Sequence, residues 1–281
     1  MQLLRLGAPG HEIPAARSEG VVYDLRPLTS DLDGDFWDGG VERVRSALAA
    51  GTLPVLDGAD GMRVGAPVAR PTAILCIGQN YAAHAAESGS PVPTNPILFF
   101  KHPNTLVGPN DPIVMPRGAT QLDWEAELAV VIGRRASYLA SPEEALAHIA
   151  GYTVANDVSE RVWQRERGGP QWGKGKSMPT SNPLGPVVVP ADEVDPRGLR
   201  IWSRVNGEPR QDSTTADMIF SVAQLVHDLS QYLVLEPGDV IDTGTPQGVA
   251  MSGRFPYLQA GDRVEVGVDG IGAHDTTIAE G

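Results

Sequence analysis

Two apolar segments that carry acidic residues constrain the fold of this chain most strongly. Residues 123–133 read DWEAELAVVIG, and residues 151–157 read GYTVAND. Short runs rich in valine, isoleucine and alanine predict β-strands. Because side chains alternate along a strand, we expect Glu125 and Glu127 to project from the same face. The chain should therefore form a β-sheet that carries two neighbouring carboxylates beside an apolar run.

These acids suggest a metal centre. Two carboxylates beside an apolar run are costly unless a cation or solvent compensates them. Asp157, at the polar end of the second segment, could complete an all-oxygen triad with Glu125 and Glu127. Such ligands suit Mg²⁺ or Mn²⁺ better than zinc or copper. The alternative is that Glu125 and Glu127 lie on the solvent-exposed face of an edge strand, and the two segments alone leave both interpretations open.

The chain length and the lengths of the predicted strands indicate two domains of unequal size. A chain of 281 residues can form one large domain with a small appendage. Residues 1–70 have the short strands and turns of a small N-terminal domain, and longer apolar strands begin in residues 71–281. Predicted strands outnumber helices and do not alternate regularly with them. This pattern favours an α+β, mostly β fold over a doubly wound sheet.

Local signals place several further elements. They predict strands at 21–25, 240–242 and 264–268, a helix at 41–50, and capping-box helices that begin after Ser141 and Ser221. The Asp269-Gly270 pair after the last strand is a hairpin signal.

Charge and composition exclude several classes of partner. The net charge of −13 comes with no basic stripe, which argues against nucleic acid or an anionic membrane as partner. No segment reaches the ~18 apolar residues of a membrane span, and residues 1–5 are too short for a signal peptide. The single cysteine, Cys76, is expected to be a buried strand thiol without a disulfide. We therefore expect a cytoplasmic protein.

A histidine and a glutamate follow the predicted strand around Cys76. His84 and Glu87 are three residues apart in GQNYAAHAAE, so they face the same way on a helical turn. A carboxylate that orients an imidazole raises its basicity, as in a water-activating base. The alternative is a solvated surface pair on an alanine-rich turn. The proline-rich residues 88–96 are either a lid or an ordinary loop.

Two glycine-rich segments are harder to interpret. Residues 168–177 read GGPQWGKGKS, but their spacing does not match a phosphate loop. One lysine there could hold an anionic substrate near the metal, or both lysines could simply be solvated. Residues 243–249, TGTPQGV, could offer backbone and hydroxyl donors to a carboxylate, although an ordinary tight turn explains them equally well.

The order of these motifs resembles the fumarylacetoacetate hydrolase family. Between residues 74 and 269 the chain carries GxNYxxHAxE, DWExELAVVIG, NDVSERxxQ, WxKGKS, NPLGP, LEPGDVIxTGTPxGV and AGDxVEV. The likeness is greatest to bacterial members that act on 2,4-dioxo acids, the acylpyruvases and the diketo-deoxy-sugar-acid hydrolases. It covers nearly all of the predicted main domain.

This resemblance implies a rolled β-sheet catalytic domain with a small N-terminal domain, a homodimer, and Mg²⁺ or Mn²⁺ in the site. It implies metal ligands Glu125, Glu127 and Asp157, catalytic residues His84, Glu87 and Lys176, and substrate contacts Tyr81, Arg161, Gln164 and Thr245. One departure is that Pro179 stands where many members have aspartate in Lys-Ser-Phe-Asp. Proline removes an acid and a backbone donor near Lys176, which concerns the distal substrate contacts more than the metal chemistry.

The expected activity is hydrolysis of the C3–C4 bond of an acylpyruvate-type acid, in aromatic or sugar-acid catabolism. The same site could instead decarboxylate oxaloacetate, or act as an isomerase or hydratase on an unsaturated or deoxy 2-oxo acid. The pair His84 and Glu87 favours hydrolysis, because decarboxylation needs no attacking water. A metal-dependent binding protein without activity is a further alternative.

Overall fold

The computed structural model describes all 281 residues, and most of its regular structure is strand. The strands are β1 (Gln2–Leu6), β2 (Ile13–Ser18), β3 (Val21–Asp24), β4 (Val64–Gly65), β5 (Ile74–Gly78), β6 (Ile97–Lys101), β7 (Leu106–Val107), β8 (Ile113–Val114), β9 (Leu122–Asp123), β10 (Ala126–Ile132), β11 (Ile149–Asn156), β12 (Ser159–Glu160), β13 (Asn182–Pro190), β14 (Arg200–Val205), β15 (Glu208–Thr214), β16 (Val240–Asp242), β17 (Arg263–Val268) and β18 (Gly272–Ala279).

The helices are short. They are α1 (Gly34–Trp37), α2 (Gly40–Ala49), α3 (Ala82–Glu87), α4 (Pro142–Ala145), α5 (Arg161–Arg165), α6 (Gly173–Lys176) and α7 (Val222–Ser230), with 3₁₀ turns at Ala59–Gly61, Pro103–Thr105, Leu146–His148, Thr215–Asp217 and Ala250–Ser252. No helix combines the length and the hydrophobicity of a membrane span.

One large sheet organises the molecule. Its strand order is β3-β2-β1-β13-β11-β10-β16-β5-β6, with β4 and β7 attached to β1 and β13. The β16–β5 pair is parallel, and β10 pairs antiparallel with β11 on one side and β16 on the other. The strands that lead to the predicted acids are therefore interior strands of this sheet.

Strand β10 is buried on both faces. Leu128, Val130 and Ile132 belong to the core shared with the second sheet, whose order is β15-β14-β17-β18-β8, and with α7. Ala129 and Val131, on the opposite face, pack with apolar residues of the N-terminal segment. Because β1 pairs with β13, residues 1–70 extend the same sheet. The expected mostly β, α+β fold is confirmed.

Most of the locally signalled elements are present. The strands at 21–24 and 240–242, the helix at 40–49 and the β17–β18 hairpin lie close to their predicted bounds. The capping box at Ser221 is complete. At Ser141 only half of the box forms, because the Glu144 carboxylate accepts a hydrogen bond from the Ala140 N–H instead, and α4 is only 4 residues long.

The strand predicted over residues 123–133 is wrong at its start. Trp124 and Glu125 lie between β9 and β10, so Glu125 is not a strand residue. The reason is that β9 pairs with β12 in a separate two-stranded sheet, and the chain changes direction before it enters β10. The Glu125 N–H donates to Asn156 Oδ1 at 3.0 Å, which fixes the turn.

Candidate metal centre

Three carboxylates meet at one end of β10 and β11. Oxygen atoms of Glu125, Glu127 and Asp157 lie within 4.8 Å of one another. The three residues are only 5%, 1% and 0% exposed, respectively. The exposed edge strand that the sequence left open is therefore excluded. Although Glu125 precedes the strand, it converges with the other two acids because the Asp157 N–H donates to its backbone oxygen at 3.0 Å.

A backbone donor orients the second acid. The Gly244 N–H donates to Glu127 Oε2 at 2.7 Å. Gly244 has a φ of +99°, and a Cβ there would lie 2.7 Å from the Cβ of Asn80, so only glycine fits. The neighbouring Thr245 hydroxyl donates to the Ala126 carbonyl at 2.9 Å and accepts from Gln211. The tight turn after β16 thus supplies a donor to a carboxylate through its backbone.

Lys176 reaches the triad from the short helix α6. Its Nζ lies 2.7 Å from Glu125 Oε2 and 2.6 Å from Asp157 Oδ2. A Cβ on Gly175 would lie 2.3 Å from the backbone nitrogen of Gln164, so glycine lets α6 approach α5 closely. Lys174 is exposed and donates only to the Arg167 carbonyl. The glycines of this segment therefore serve helix packing, and Lys176 is the lysine at the centre.

Arg161 forms a second cationic contact with the triad. Its guanidinium lies 2.8 Å from Asp123 and 2.7 Å from Glu125. Asp123 also accepts from the Ala250 and Met251 N–H groups. Gln164 Oε1 accepts from Arg161 at 3.0 Å. Arg161 therefore holds Glu125 in place.

Lys101, which sequence reasoning missed, contacts the third acid from the other side. Its Nζ donates to Asp157 Oδ1 at 2.7 Å and to the Val158 carbonyl at 3.2 Å. Lys101 is 1% exposed. The only signal in the sequence is a lysine that ends the apolar strand ILFFK. Nothing local links this lysine to an acid 56 residues later.

The acids at this centre differ in the cations that they contact. Burial acts to raise the pKa of Glu125, but Lys176 and Arg161 lower it overall. Burial, together with Asp157 and Asp242, raises the pKa of Glu127 well above its usual value. Glu127 has a backbone N–H as its hydrogen-bond partner and no cationic one. A divalent cation between the three acids would remove this repulsion, so the residues present fit Mg²⁺ or Mn²⁺.

The predicted histidine–glutamate pair is formed and buried beside the triad. His84 Nδ1 lies 3.1 Å from Glu87 Oε1 on α3, and His84 is 4% exposed. The Gly248 N–H donates to both oxygens of Glu87, at 3.0 and 3.1 Å. With Nδ1 directed at Glu87, Nε2 is the nitrogen left to accept a proton. The pair is thus not a solvated surface pair.

A cavity of about 150 Å³ lies over these groups. Of the predicted site residues, it is lined by His84, Glu125, Arg161, Gln164, Lys176 and Thr245. Residues that sequence reasoning did not assign to the site also line it, among them Gln79, Ser88, Ser90, Arg165, Trp172 and Met251. Trp172 packs on Phe99 with ring centroids 5.2 Å apart, and Lys176 Nζ lies 5.1 Å from the Phe99 ring.

Tyr81 and Pro179, which the sequence singled out, do not line this cavity, and Glu87, Glu127 and Asp157 lie behind its lining residues. Tyr81 is 1% exposed, and burial followed by Glu127 raises the pKa of its hydroxyl, but it does not line the cavity. Pro179 is exposed and lines a different surface depression with Met178 and Lys174.

Cys76 is a buried strand thiol, as expected, and its Sγ lies 3.7 Å from Asp242 Oδ2.

Comparison with known proteins agrees with this geometry. The family described as fumarylacetoacetate (FAA) hydrolase, C-terminal, matches residues 73–279. The chain belongs to the fumarylacetoacetate hydrolase family. A relative from Burkholderia multivorans that carries a provisional hydrolase name is 48% identical over 278 residues, which are 97% of this chain and 96% of that protein.

Solved structures of this family include enzymes of different reactions. The 5-carboxymethyl-2-hydroxymuconate delta-isomerase from Mycobacterium smegmatis is 33% identical, with a TM-score of 0.79 and coverage of 100% of this chain and 99% of that one. Maleylpyruvate hydrolase from Sphingobium sp. SYK-6, solved with manganese(II) and pyruvate, is 25% identical, with a TM-score of 0.83 and full coverage of both chains. The family and the fold are therefore shown, and the reaction is not decided by likeness alone.

Proposed function

We propose that this protein is a divalent-metal-dependent hydrolase that cleaves the C3–C4 bond of a 2,4-dioxo acid. The observation that carries the proposal is that the buried triad Glu125, Glu127 and Asp157 and the His84–Glu87 pair each reach one cavity, through Glu125 and His84 respectively. The manganese and pyruvate in the structure of maleylpyruvate hydrolase support a divalent metal and a pyruvate product.

The three acids would hold Mg²⁺ or Mn²⁺. When bound, the metal ion would act as a Lewis acid towards the oxo acid end of the substrate. Arg161 and Lys101 hold the carboxylates of Glu125 and Asp157 in place through ion pairs. Lys176, with Nζ between those two acids, places positive charge where an oxyanion develops during the reaction.

His84 is the general base. Glu87 accepts a hydrogen bond from Nδ1–H, and Nε2 removes a proton from a water molecule whose oxygen attacks the C4 carbonyl. The tetrahedral intermediate collapses, the C3–C4 bond breaks, and its electron pair passes to C3. A proton then adds to C3, which gives pyruvate, while C4 leaves as the carboxyl group of the second acid. Gln164 and Thr245 line the cavity as substrate contacts.

A second candidate is isomerisation of an unsaturated 2-oxo diacid. The similarity to the delta-isomerase from Mycobacterium smegmatis is the observation that favours it. In that reaction His84 would move a proton between carbon atoms and no water would be consumed. The His84–Glu87 arrangement, with Glu87 fixed by Gly248, suits water activation better.

The first experiment is an ultraviolet assay on acetylpyruvate and oxaloacetate with Mg²⁺ or Mn²⁺ and coupled detection of pyruvate. Loss of acetylpyruvate with one pyruvate formed per molecule, and slower reaction of oxaloacetate, is the expected result. The reverse preference would identify a decarboxylase. Turnover of neither acid by the metal-loaded protein, with isomerisation of an unsaturated 2-oxo diacid, would favour the second candidate.

We also propose that the chain forms a homodimer, as the family resemblance implies. Tyr138 and Tyr232 are exposed aromatic residues, and the Tyr138 N–H donates to the carbonyl of Ser230, two residues before Tyr232. Exposed aromatic side chains are common at subunit interfaces. Light scattering after size-exclusion chromatography should give twice the mass of the 29.8 kDa chain.

A further inference from the structure

One side of helix α5 carries a row of polar residues into the cavity. Arg161, Gln164 and Arg165 all line it. Residues four apart lie on the same side of a helix and differ in height by about 6 Å. Arg161, at the inner end, is buried, whereas Arg165, at the end of the helix, is exposed. The row therefore leads from the metal centre towards the mouth of the cavity.

Arg165 is the cation of this cavity that has no internal partner. Arg161 is paired with Asp123 and Glu125, and Lys176 with Glu125 and Asp157. Arg165 forms no salt bridge and no side-chain hydrogen bond. The acid nearest to the start of its helix, Glu160, is already used, since it accepts from the N–H groups of Trp163, Thr120 and Gln121.

The remaining polar residues at the mouth are neutral. Gln79, Ser88 and Ser90 offer hydrogen bonds without charge, and Trp172 forms an aromatic wall. The only carboxylate among the lining residues is Glu125, at the inner end. A guanidinium in such surroundings is suited to bind a carboxylate through two parallel hydrogen bonds. The net charge of −13 repels anions, so a local cation matters more for a doubly charged substrate.

We propose that Arg165 binds a second carboxylate at the far end of the substrate, so that this enzyme acts on 2,4-dioxo diacids in preference to monoacids. The inference rests on the proposed function and names its substrate class. The inner carboxylate and 2-oxo group belong to the metal centre, and the acyl group extends along α5 towards Arg165. Arg165 thus determines specificity and takes no part in bond cleavage.

The test compares two substrates of equal length, 2,4-dioxoheptanedioate and 2,4-dioxoheptanoate, which differ only in the terminal carboxylate. The unmodified enzyme should have a kcat/KM at least tenfold higher for the diacid. Arg165→Met should lower kcat/KM for the diacid by about 10- to 100-fold, mainly through KM, because a charge-assisted contact of this kind contributes about that factor. Arg165→Lys should recover part of the loss, since it keeps the charge without the planar fork.

Arg167→Met is the matched control. Arg167 is an exposed arginine two residues later that does not line the cavity, and its substitution should leave the preference unchanged. A diacid preference that survives Arg165→Met would overturn the proposal. An equal loss on both substrates would also overturn it, because it would show a general role in positioning.

A binding experiment separates this inference from the proposed function. Calorimetry on the Mn²⁺-loaded protein would measure dissociation constants for 2-oxoheptanedioate and 2-oxoheptanoate. If neither dioxo acid is hydrolysed, the proposed function fails. Tighter binding of the diacid that is lost in Arg165→Met would still support the role of Arg165, and equal binding of both acids would refute it.

Discussion

Two clusters of charged residues in this molecule are built in opposite ways. At the metal centre, the side chains of Glu125 and Asp157 are at most 7% exposed and contact cations, but Glu127 contacts none. A second cluster, called here the junction cluster, links residues 1–70 to Asp111. There Arg5 contacts Glu12 and Asp31, and Arg63 contacts Glu12 and Asp111. Each acid of this junction cluster meets an arginine.

The two clusters differ in the exposure of their charged side chains, and this difference indicates different roles. The junction side chains are 7% to 27% exposed, so solvent shares the cost of their charge. Such pairs add modest stability and need nothing further. A buried acid without a cation, such as Glu127, is costly until a cation binds. The imbalance around Glu127 therefore supports the proposal that a cation binds there.

The largest expected effect comes from breaking the triad. Glu127→Ala should weaken Mn²⁺ binding more than about 100-fold, because loss of an outer contact to a ligand already costs about 10- to 100-fold. Activity should be lost with the metal. Calorimetric titration with Mn²⁺ measures this directly. Glu12→Ala, at the junction, is the control and should bind Mn²⁺ normally, and normal binding by Glu127→Ala would remove the triad from the mechanism.

The next effect separates chemistry from metal binding. His84→Ala should lower kcat by about 10²–10⁴-fold, the range for loss of a general base. Mn²⁺ affinity should stay within a few-fold of the original value, since His84 contacts Glu87 and not the triad acids. The measurements are steady-state kinetics and metal titration of the same preparation. Loss of the metal in this variant would contradict the assigned role.

His274 is a further buried titratable group, and like Glu127 it has no partner of opposite charge. Its Nε2 lies 2.9 Å from the Val154 carbonyl and 2.8 Å from the Gly185 carbonyl. Burial lowers its pKa from 6.5 to about 4. The unfolded chain therefore binds a proton below about pH 6.5 that the folded protein does not bind until about pH 4.

This pKa shift makes the free energy of unfolding depend on pH. Between pH 7.5 and pH 5, His274 should remove about 2 kcal/mol of stability. Urea unfolding of the original chain and of His274→Gln at both pH values would measure the contribution. The variant should lose about 2 kcal/mol less on acidification. Identical pH dependence of the two proteins would show that His274 does not contribute.

The smallest effect is expected at the junction. Arg63→Met should reduce the free energy of unfolding by about 1 kcal/mol, because the pairs it breaks are partly solvated. Both kcat and Mn²⁺ affinity should be unchanged. Urea unfolding and the acylpyruvate assay test the two statements. A large loss of activity would show that the junction cluster is coupled to the triad, and would contradict the claim that its ion pairs affect stability only.

Much of the candidate site could be predicted from short spacings. The pairing of His84 with Glu87 follows from one turn of helix, and the convergence of Glu127 with Asp157 follows from two antiparallel neighbours. The order of the motifs predicted the family and the mostly β fold. Glu125 was predicted to lie on a strand and instead precedes β10, because a change of chain direction after β9 has no clear local signal.

The sequence by itself determined which residues of this protein can do chemistry, and the tertiary structure decided which of them meet. Local geometry is set by a few residues, so a helical pair or a strand end can be read directly. The approach of Lys101 to Asp157, the contact of Lys176 with Asp157 and the place of Arg165 depend on packing between distant segments. Only the folded chain, in which sheet pairing and close helix contact act together, decides such neighbours.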